Sequence, residues 1–306
     1  MRKHRLLSVY LVLAVSFGLW LPMAAAAATV TAGGAATAGT AEYGPGVVPA
    51  QESTDQAQDA SDQAQDTSDH KQNTAPQRRL IPDETSNNYA GKKAEPIFRV
   101  RTDKPQIALS FDAGADRGNA EAIMDILEQY GITSTFFLTA DWMDAYPEDA
   151  KSIVARGHEV GNHSVSHPSF PTLSAEQMNA QIQQTHGRAK DLLGVDMCLF
   201  RFPYGDYSNA SMDVVKANGY YAIQWSVDSI DWRNEGRDIM INRVLNHKNL
   251  GNGSVVLMHL AAKYTPSALE AIIQGILDRG YEIVPVSELI YENHYHMDAA
   301  GNQIPD

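Results

Sequence analysis

The segment His163-Ser164-Val165-Ser166-His167 holds two imidazoles four residues apart. That spacing brings both rings to one side of a helical turn, and also to one face of an extended strand. Neutral imidazole is a common ligand for zinc and similar ions. The preceding Gly157-His158-Glu159-Val160-Gly161-Asn162 reads as a short strand running into a loop, the place where α/β proteins set their chemistry. Alone, the pair reads equally well as two solvated loop histidines. Four other groups of reactive side chains change that balance: Phe111-Asp112-Ala113-Gly114-Ala115-Asp116, Arg201-Phe202-Pro203-Tyr204-Gly205, Asp228-Ser229-Ile230-Asp231-Trp232 and Leu257-Met258-His259. Each follows a run of strand-forming residues.

The elements that must position these groups can be read from periodicity. Ile97 to Arg101 alternates apolar and polar, as a half-buried strand does. Gln106 to Phe111, Thr133 to Thr139, Met197 to Phe200, Tyr220 to Trp225, Ser254 to Met258 and Tyr281 to Val284 read as further strands. Helical spacing runs over Asn119 to Tyr130, Pro147 to Arg156, Ser174 to Leu193, Ala210 to Asn218, Ile239 to Leu245 and Ser267 to Arg279. The longest of these opens on a capping box, Ser174 to Gln177. Regular alternation of strand and helix predicts one parallel α/β domain, most simply a barrel, whose strand ends open on one rim. Reactive residues far apart in sequence then meet at one mouth.

The flanks are different. Arg2, Lys3 and Arg5 precede an apolar run from Leu6 to Leu21, and Ala24 to Ala28 offers small-residue cleavage sites. Residues 1–28 therefore read as a secretory signal peptide, or, uncleaved, as a membrane tether. Residues 29–94 are poor in large apolar side chains and carry a near repeat, Asp55-Gln56-Ala57-Gln58-Asp59 and Asp62-Gln63-Ala64-Gln65-Asp66. Such a composition buries too little surface to offset chain entropy, and a disordered spacer is expected. The domain is expected at 95–295 and a loose polar tail at 296–306. The 306-residue chain has a net charge of −13 and no basic stripe beyond its N-terminus, which argues against nucleic acid as a partner. Its one cysteine, Cys198, excludes an intramolecular disulfide and sits in an apolar run as a core residue.

The five groups together resemble the ordered motifs of the polysaccharide deacetylases of carbohydrate esterase family 4, the NodB-homology fold. The matching segments are Ser110-Phe111-Asp112-Ala113-Gly114, His163-Ser164-Val165-Ser166-His167, Arg201-Phe202-Pro203-Tyr204, Asp228-Ser229-Ile230-Asp231-Trp232 and Leu257-Met258-His259. The resemblance covers roughly 105 to 290. It implies a distorted (β/α) barrel and N-deacetylation of an amino sugar with a divalent metal ion, zinc. It gives Asp112 the role of base, His259 that of acid, Arg201 that of holding Asp112 ionised, and Asp231 that of raising the His259 pKa. It gives His163 and His167 to the metal, the Tyr204 N–H to the oxyanion, and Leu257 to the acetyl methyl. Trp232, Tyr204 and Pro203 line the sugar, with Asp228 the second choice as partner of His259.

One departure stands out. The family's second metal-binding aspartate is Ala113 here, which offers no donor. Asp116 could supply the third ligand; the two histidines could hold the ion with water or substrate; or catalysis could be lost and glycan binding kept. The expected substrate is a β-1,4-linked cell-wall polysaccharide, peptidoglycan, attacked outside the cytoplasm by a monomer. A chitooligosaccharide deacetylase, an acetyl-xylan esterase and a catalytically silent glycan-binding module are the alternatives.

Overall fold

The computed structural model describes residues 95–114 and 116–306. The expected signal peptide (1–28) and spacer (29–94) lie outside the described residues. In chain order the elements are β1 (Arg99–Val100), β2 (Gln106–Ala113), α1 (Ala120–Gln129), β3 (Thr135–Leu138), α2 (Ala140–Ala145), α3 (Pro147–Ala155), β4 (Glu159–Asn162), α4 (Ala175–Leu193), β5 (Leu199–Phe200) and α5 (Asn209–Ala217). They continue as β6 (Tyr221–Ala222), β7 (Val227–Asp228), α6 (Arg237–Leu245), β8 (Ser254–His259), α7 (Thr265–Leu277), β9 (Glu282–Ile283), α8 (Val286–Leu289), β10 (Tyr295–Met297) and β11 (Asn302–Pro305).

The central sheet runs β8-β2-β3-β4-β5-β6 with parallel pairing, and β7 adds to the far side of β8. It is the expected α/β barrel, distorted at one seam. The seam is crossed by the segment entering the domain: Ile97 N–H donates to Ala222 O at 2.8 Å, and Gln224 N–H donates to Ile97 O at 2.7 Å. After Phe98, β1 turns to pair antiparallel with β8. The sheet is thus mixed rather than wholly parallel.

Strand alternation separates two apolar layers. Ile107, Leu109 and Phe111 face outward with Phe136 and Leu138, under the apolar faces of the helices. Ala108, Phe137, Cys198, Leu199, Tyr221, Ile223 and Val255 fill the barrel interior, with Val286 and Leu289 of α8 in the same cluster. Cys198 is buried there, as its apolar surroundings predict. On the inward face of β2 the order Ala108, Ser110, Asp112 passes from apolar to charged toward the strand's C-terminal end. That order places the chemistry at the mouth.

Local signals hold where they are strong. The Ser174–Gln177 capping box forms in both directions, and α4 stops at Gly194 with a left-handed φ of 71°. The expectation of a loose tail does not hold. Residues 295–306 form an antiparallel ribbon, and β11 pairs with β1. Polarity misled because the buried amides take over backbone pairing: Gln303 Oε1 accepts from Tyr291 N–H at 2.9 Å, and Gln303 Nε2 donates to Tyr291 O at 2.8 Å. The ribbon's turn requires Gly301, where φ is +73° and an added Cβ would lie 2.3 Å from Phe98 Cδ2. Gly301→Ala is expected to lower stability by about 1–3 kcal/mol, read as a lower thermal melting temperature. An unchanged melt would show that the ribbon does not brace the barrel.

Candidate active site

The mouth is built on adjacent strand ends. Asp112 on β2 is the register partner of His259 on β8 and of Phe137 on β3. His163 leaves β4 with its N–H on Leu138 O at 3.0 Å, and Arg201 leaves β5 with its N–H on Asn162 O at 2.9 Å. Sequence separations of many tens of residues therefore collapse into one cluster.

Arg201 is fully buried, a costly place for a cation unless it is paired. Its guanidinium donates to Asp112 Oδ1 at 2.7 Å, to Ser110 Oγ at 2.9 Å and to Gln224 O at 3.3 Å. Its Cζ lies 4.0 Å from the centre of the Phe137 ring, a cation–π contact. Burial alone would raise the Asp112 carboxyl, but the charges of Arg201, His163 and His259 and the Arg201 hydrogen bond outweigh it and hold the pKa below its ordinary value. Asp112 is thus a carboxylate at neutral pH. One oxygen is committed to Arg201; Oδ2 faces the mouth.

His163 lies 1% exposed, and burial, more than its neighbours, lowers its pKa to about 4. Its Nδ1–H donates to Arg201 O at 2.9 Å. A neutral ring with its proton on Nδ1 presents a lone pair at Nε2. That atom is 3.5 Å from Asp112 Oδ2, so two acceptors face each other with no proton between them. His167 joins them, its ring centre 4.7 Å from that of His163, and burial lowers its pKa also. The loop carrying both rings is tied down by side chains. Asn162 Oδ1 accepts from Ser164 N–H at 2.9 Å, Gln181 Oε1 from Val165 N–H at 2.8 Å, and Ser164 Oγ from His167 N–H at 3.1 Å. These bonds sustain the left-handed φ values of 72° at Ser164 and 60° at His167, which cost energy in non-glycine residues.

His259 has the opposite setting. Its Nδ1–H donates to Asp231 Oδ1 at 2.7 Å and its backbone N–H to Asp231 Oδ2 at 2.8 Å. Thr265 Oγ donates to the same Oδ2 at 2.7 Å. Burial works against the charged ring, but the hydrogen bond and charge of Asp231, with the charges of Asp112 and Asp228, prevail and raise the His259 pKa. Asp231 is therefore the partner of His259. Asp228 caps its own loop instead, Oδ1 accepting from Ile230 N–H at 2.8 Å, and pairs in register with Leu257.

Leu257 is 3% exposed and lies on the same strand face as His259. Pro203 is buried, whereas Tyr204 is 69% and Trp232 is 54% exposed. The Tyr204 ring stands edge-on to His167 with centres 4.4 Å apart. Arg233 lies 5.0 Å over one face of the Trp232 ring. Asp116 is exposed, with its backbone carbonyl taken by Trp142 Nε1 at 3.0 Å. Ala113 is enclosed in the outer apolar layer. Among the described residues no group of three or more His, Cys, Asp or Glu side chains is arranged to hold a metal. Asp116 therefore does not complete a cage in this conformation. What remains is the His163–His167 pair, ring centres 4.7 Å apart, beside Asp112 Oδ2, donor types that suit a divalent cation with places left for water or substrate.

Sequence reasoning passed over several contributors. Ser110 could have been found, since it shares a strand face with Asp112 two residues on. Phe137, Gln181 and Thr265 carried no signal, because only tertiary packing brings them to the mouth.

Comparison with known proteins gives the family. The polysaccharide deacetylase family profile matches residues 99–223. The uncharacterized protein YlxY of Bacillus subtilis is 32% identical over 198 residues, 65% of this chain and 61% of that protein. A peptidoglycan-N-acetylglucosamine deacetylase of Bacillus cereus is 32% identical over 182 residues, 60% of this chain and 63% of that protein. The chain thus spans about three-fifths of the length of these curated relatives. A solved mutant of BA3943, described as a CE4 family pseudoenzyme with restored enzymatic activity, superposes with a TM-score of 0.61 at 31% identity, covering 64% of this chain and 71% of that one; the wild-type protein is from Bacillus anthracis. Fold, ordered motifs and coverage together show that the chain belongs to the CE4 polysaccharide deacetylase family.

Proposed function

We propose that this domain hydrolyses N-acetyl groups from amino sugars of peptidoglycan, with a divalent cation, zinc, held by His163 and His167. The observation that carries the reading is the opposed pairing of two groups on adjacent strands: Asp112 is held by Arg201 at 2.7 Å, which favours its ionised form, and His259 by Asp231 at 2.7 Å, which favours its protonated form. Paired groups with pKa values pushed apart are what acid–base hydrolysis requires. A cation bound at the imidazoles supplies Lewis-acid polarisation of the acetamide and a lowered pKa for water.

The chain's own residues do the rest. Asp112 Oδ2, the oxygen not engaged by Arg201, takes the proton of the attacking water. The Tyr204 N–H donates to the developing oxyanion. His259 Nδ1 stays on Asp231, so Nε2 gives its proton to the departing amine. Leu257 packs the acetyl methyl, and the exposed faces of Tyr204 and Trp232 hold the sugar. The leader-like residues 1–28 support action outside the cytoplasm, where peptidoglycan lies; the 29–94 spacer would give the domain reach.

The test is acetate release from peptidoglycan, N-acetylchitooligosaccharides and acetylated xylan, with and without a chelator. The expected result is release from peptidoglycan that the chelator abolishes and added zinc restores. Release from chitin fragments or xylan alone would move the substrate assignment. The second reading, a silent glycan-binding module, is favoured by Ala113 and by the likeness to a pseudoenzyme. It requires glycan binding with no acetate from any substrate at any metal concentration.

A further inference from the structure

Gln224 lies where the chain leaves β6 and crosses the barrel seam toward β7. Its backbone is fully used: N–H donates to Ile97 O at 2.7 Å, and the carbonyl accepts from Arg201 Nη2 at 3.3 Å. Its side chain is not. The residue is 1% exposed, and both Oε1 and Nε2 are buried without a hydrogen-bond partner. Such atoms carry a desolvation cost, and native proteins contain few of them. An apolar side chain of the same shape would carry none.

The amide lies against the Pro203–Gly205 turn. A methyl built on Gly205 would sit 3.8 Å from Gln224 Nε2 and 3.0 Å from Trp225 Cη2. Tyr204 and Gly205 are consecutive left-handed residues, with φ of 59° and 72°. The strained turn that carries the Tyr204 N–H thus rests on an amide able to donate and accept, yet unpaired.

We propose that Gln224 is a positioning residue for this turn, its Nε2 donating to the Tyr204 carbonyl when an N-acetylated glycan seats against Tyr204, while the Gly205 N–H keeps its bond to Phe202 O. The unpaired state then belongs to the free protein. Binding gains what the pairing returns, because a ligand shifts an equilibrium by its differential affinity for the two states. The choice of ligand rests on the glycan reading above; the placement of Gln224 does not.

Gln224→Met keeps the length of the side chain and removes both polar atoms. The full chain and the variant are melted free and saturated with N-acetylchitotetraose, and kcat and KM for acetate release are measured. The free variant is expected to melt at or above the wild type. Its ligand-induced shift should be less than half the wild-type shift, and kcat should fall about tenfold, roughly 1.4 kcal/mol, with KM little changed. Equal ligand-induced shifts with equal kcat would overturn the proposal, as would a free variant that melts well below the wild type. Gln224→Leu provides the same comparison if the methionine variant does not fold. A wild type that binds the tetramer but releases no acetate from any glycan overturns the deacetylase reading, and the two melting shifts still decide Gln224.

Discussion

Asp112→Asn is expected to abolish acetate release and to destabilise the domain at the same time. The rate loss should be about 10²–10⁴-fold, the usual contribution of a positioned base, because the amide cannot take a proton. The stability loss should be about 3–5 kcal/mol, because Arg201, fully buried, loses the carboxylate that Nη1 holds at 2.7 Å. Thermal melting and circular dichroism at the assay temperature separate the two effects. Normal turnover in the variant would remove Asp112 as the base. The pairing also sets an acid limit. The Asp112 pKa is depressed in the folded state, so its stabilising contribution is present above the unfolded value of about 3.9. It is lost as pH falls through the lower folded value.

Asp231→Asn should move the alkaline limb of the pH–rate profile downward. The His259 pKa is raised by the Asp231 hydrogen bond and charge against the effect of burial. Loss of an adjacent opposite charge commonly shifts a pKa by about 1–3 units. His259 then loses its proton at lower pH, and activity above neutrality should fall by about 10–1000-fold, while the acid limb set by Asp112 stays. The linked stability has the opposite sign to that of Asp112. A raised folded pKa stabilises fully below the unfolded value of about 6.5, and the gain disappears as pH rises through the folded value. The measurement is kcat against pH for both proteins; coincident alkaline limbs would show that Asp231 does not tune the acid.

Both variants act through pairs that sequence spacing alone could not have joined. The order of strands and helices was legible because side-chain periodicity is local: the apolar face of α1, the capping box of α4 and the strand runs before each reactive group depend on neighbours a few residues away. The types of reactive residue, and their place after strands, were legible for the same reason. The seam was not. Ile97 crosses to β6 and β1 turns antiparallel because the ring of short strands needs a filler there, a requirement no segment carries by itself. The terminal ribbon was misjudged because Asn302 and Gln303 look solvated until their amides are seen paired, Asn302 with the Asp298 carboxylate and Gln303 with the Tyr291 backbone.

The sequence by itself determined which groups are available: four carboxylates, three imidazoles, one guanidinium, and an alanine where the family places a metal-binding aspartate. The tertiary structure decided the surroundings of each. It buried Arg201 and so fixed Asp112 as an anion. It set Asp231 rather than Asp228 on His259, and kept Asp116 out at the surface. Charge state follows from burial and from the distance to other charges, and those quantities exist only once the chain has closed into the barrel.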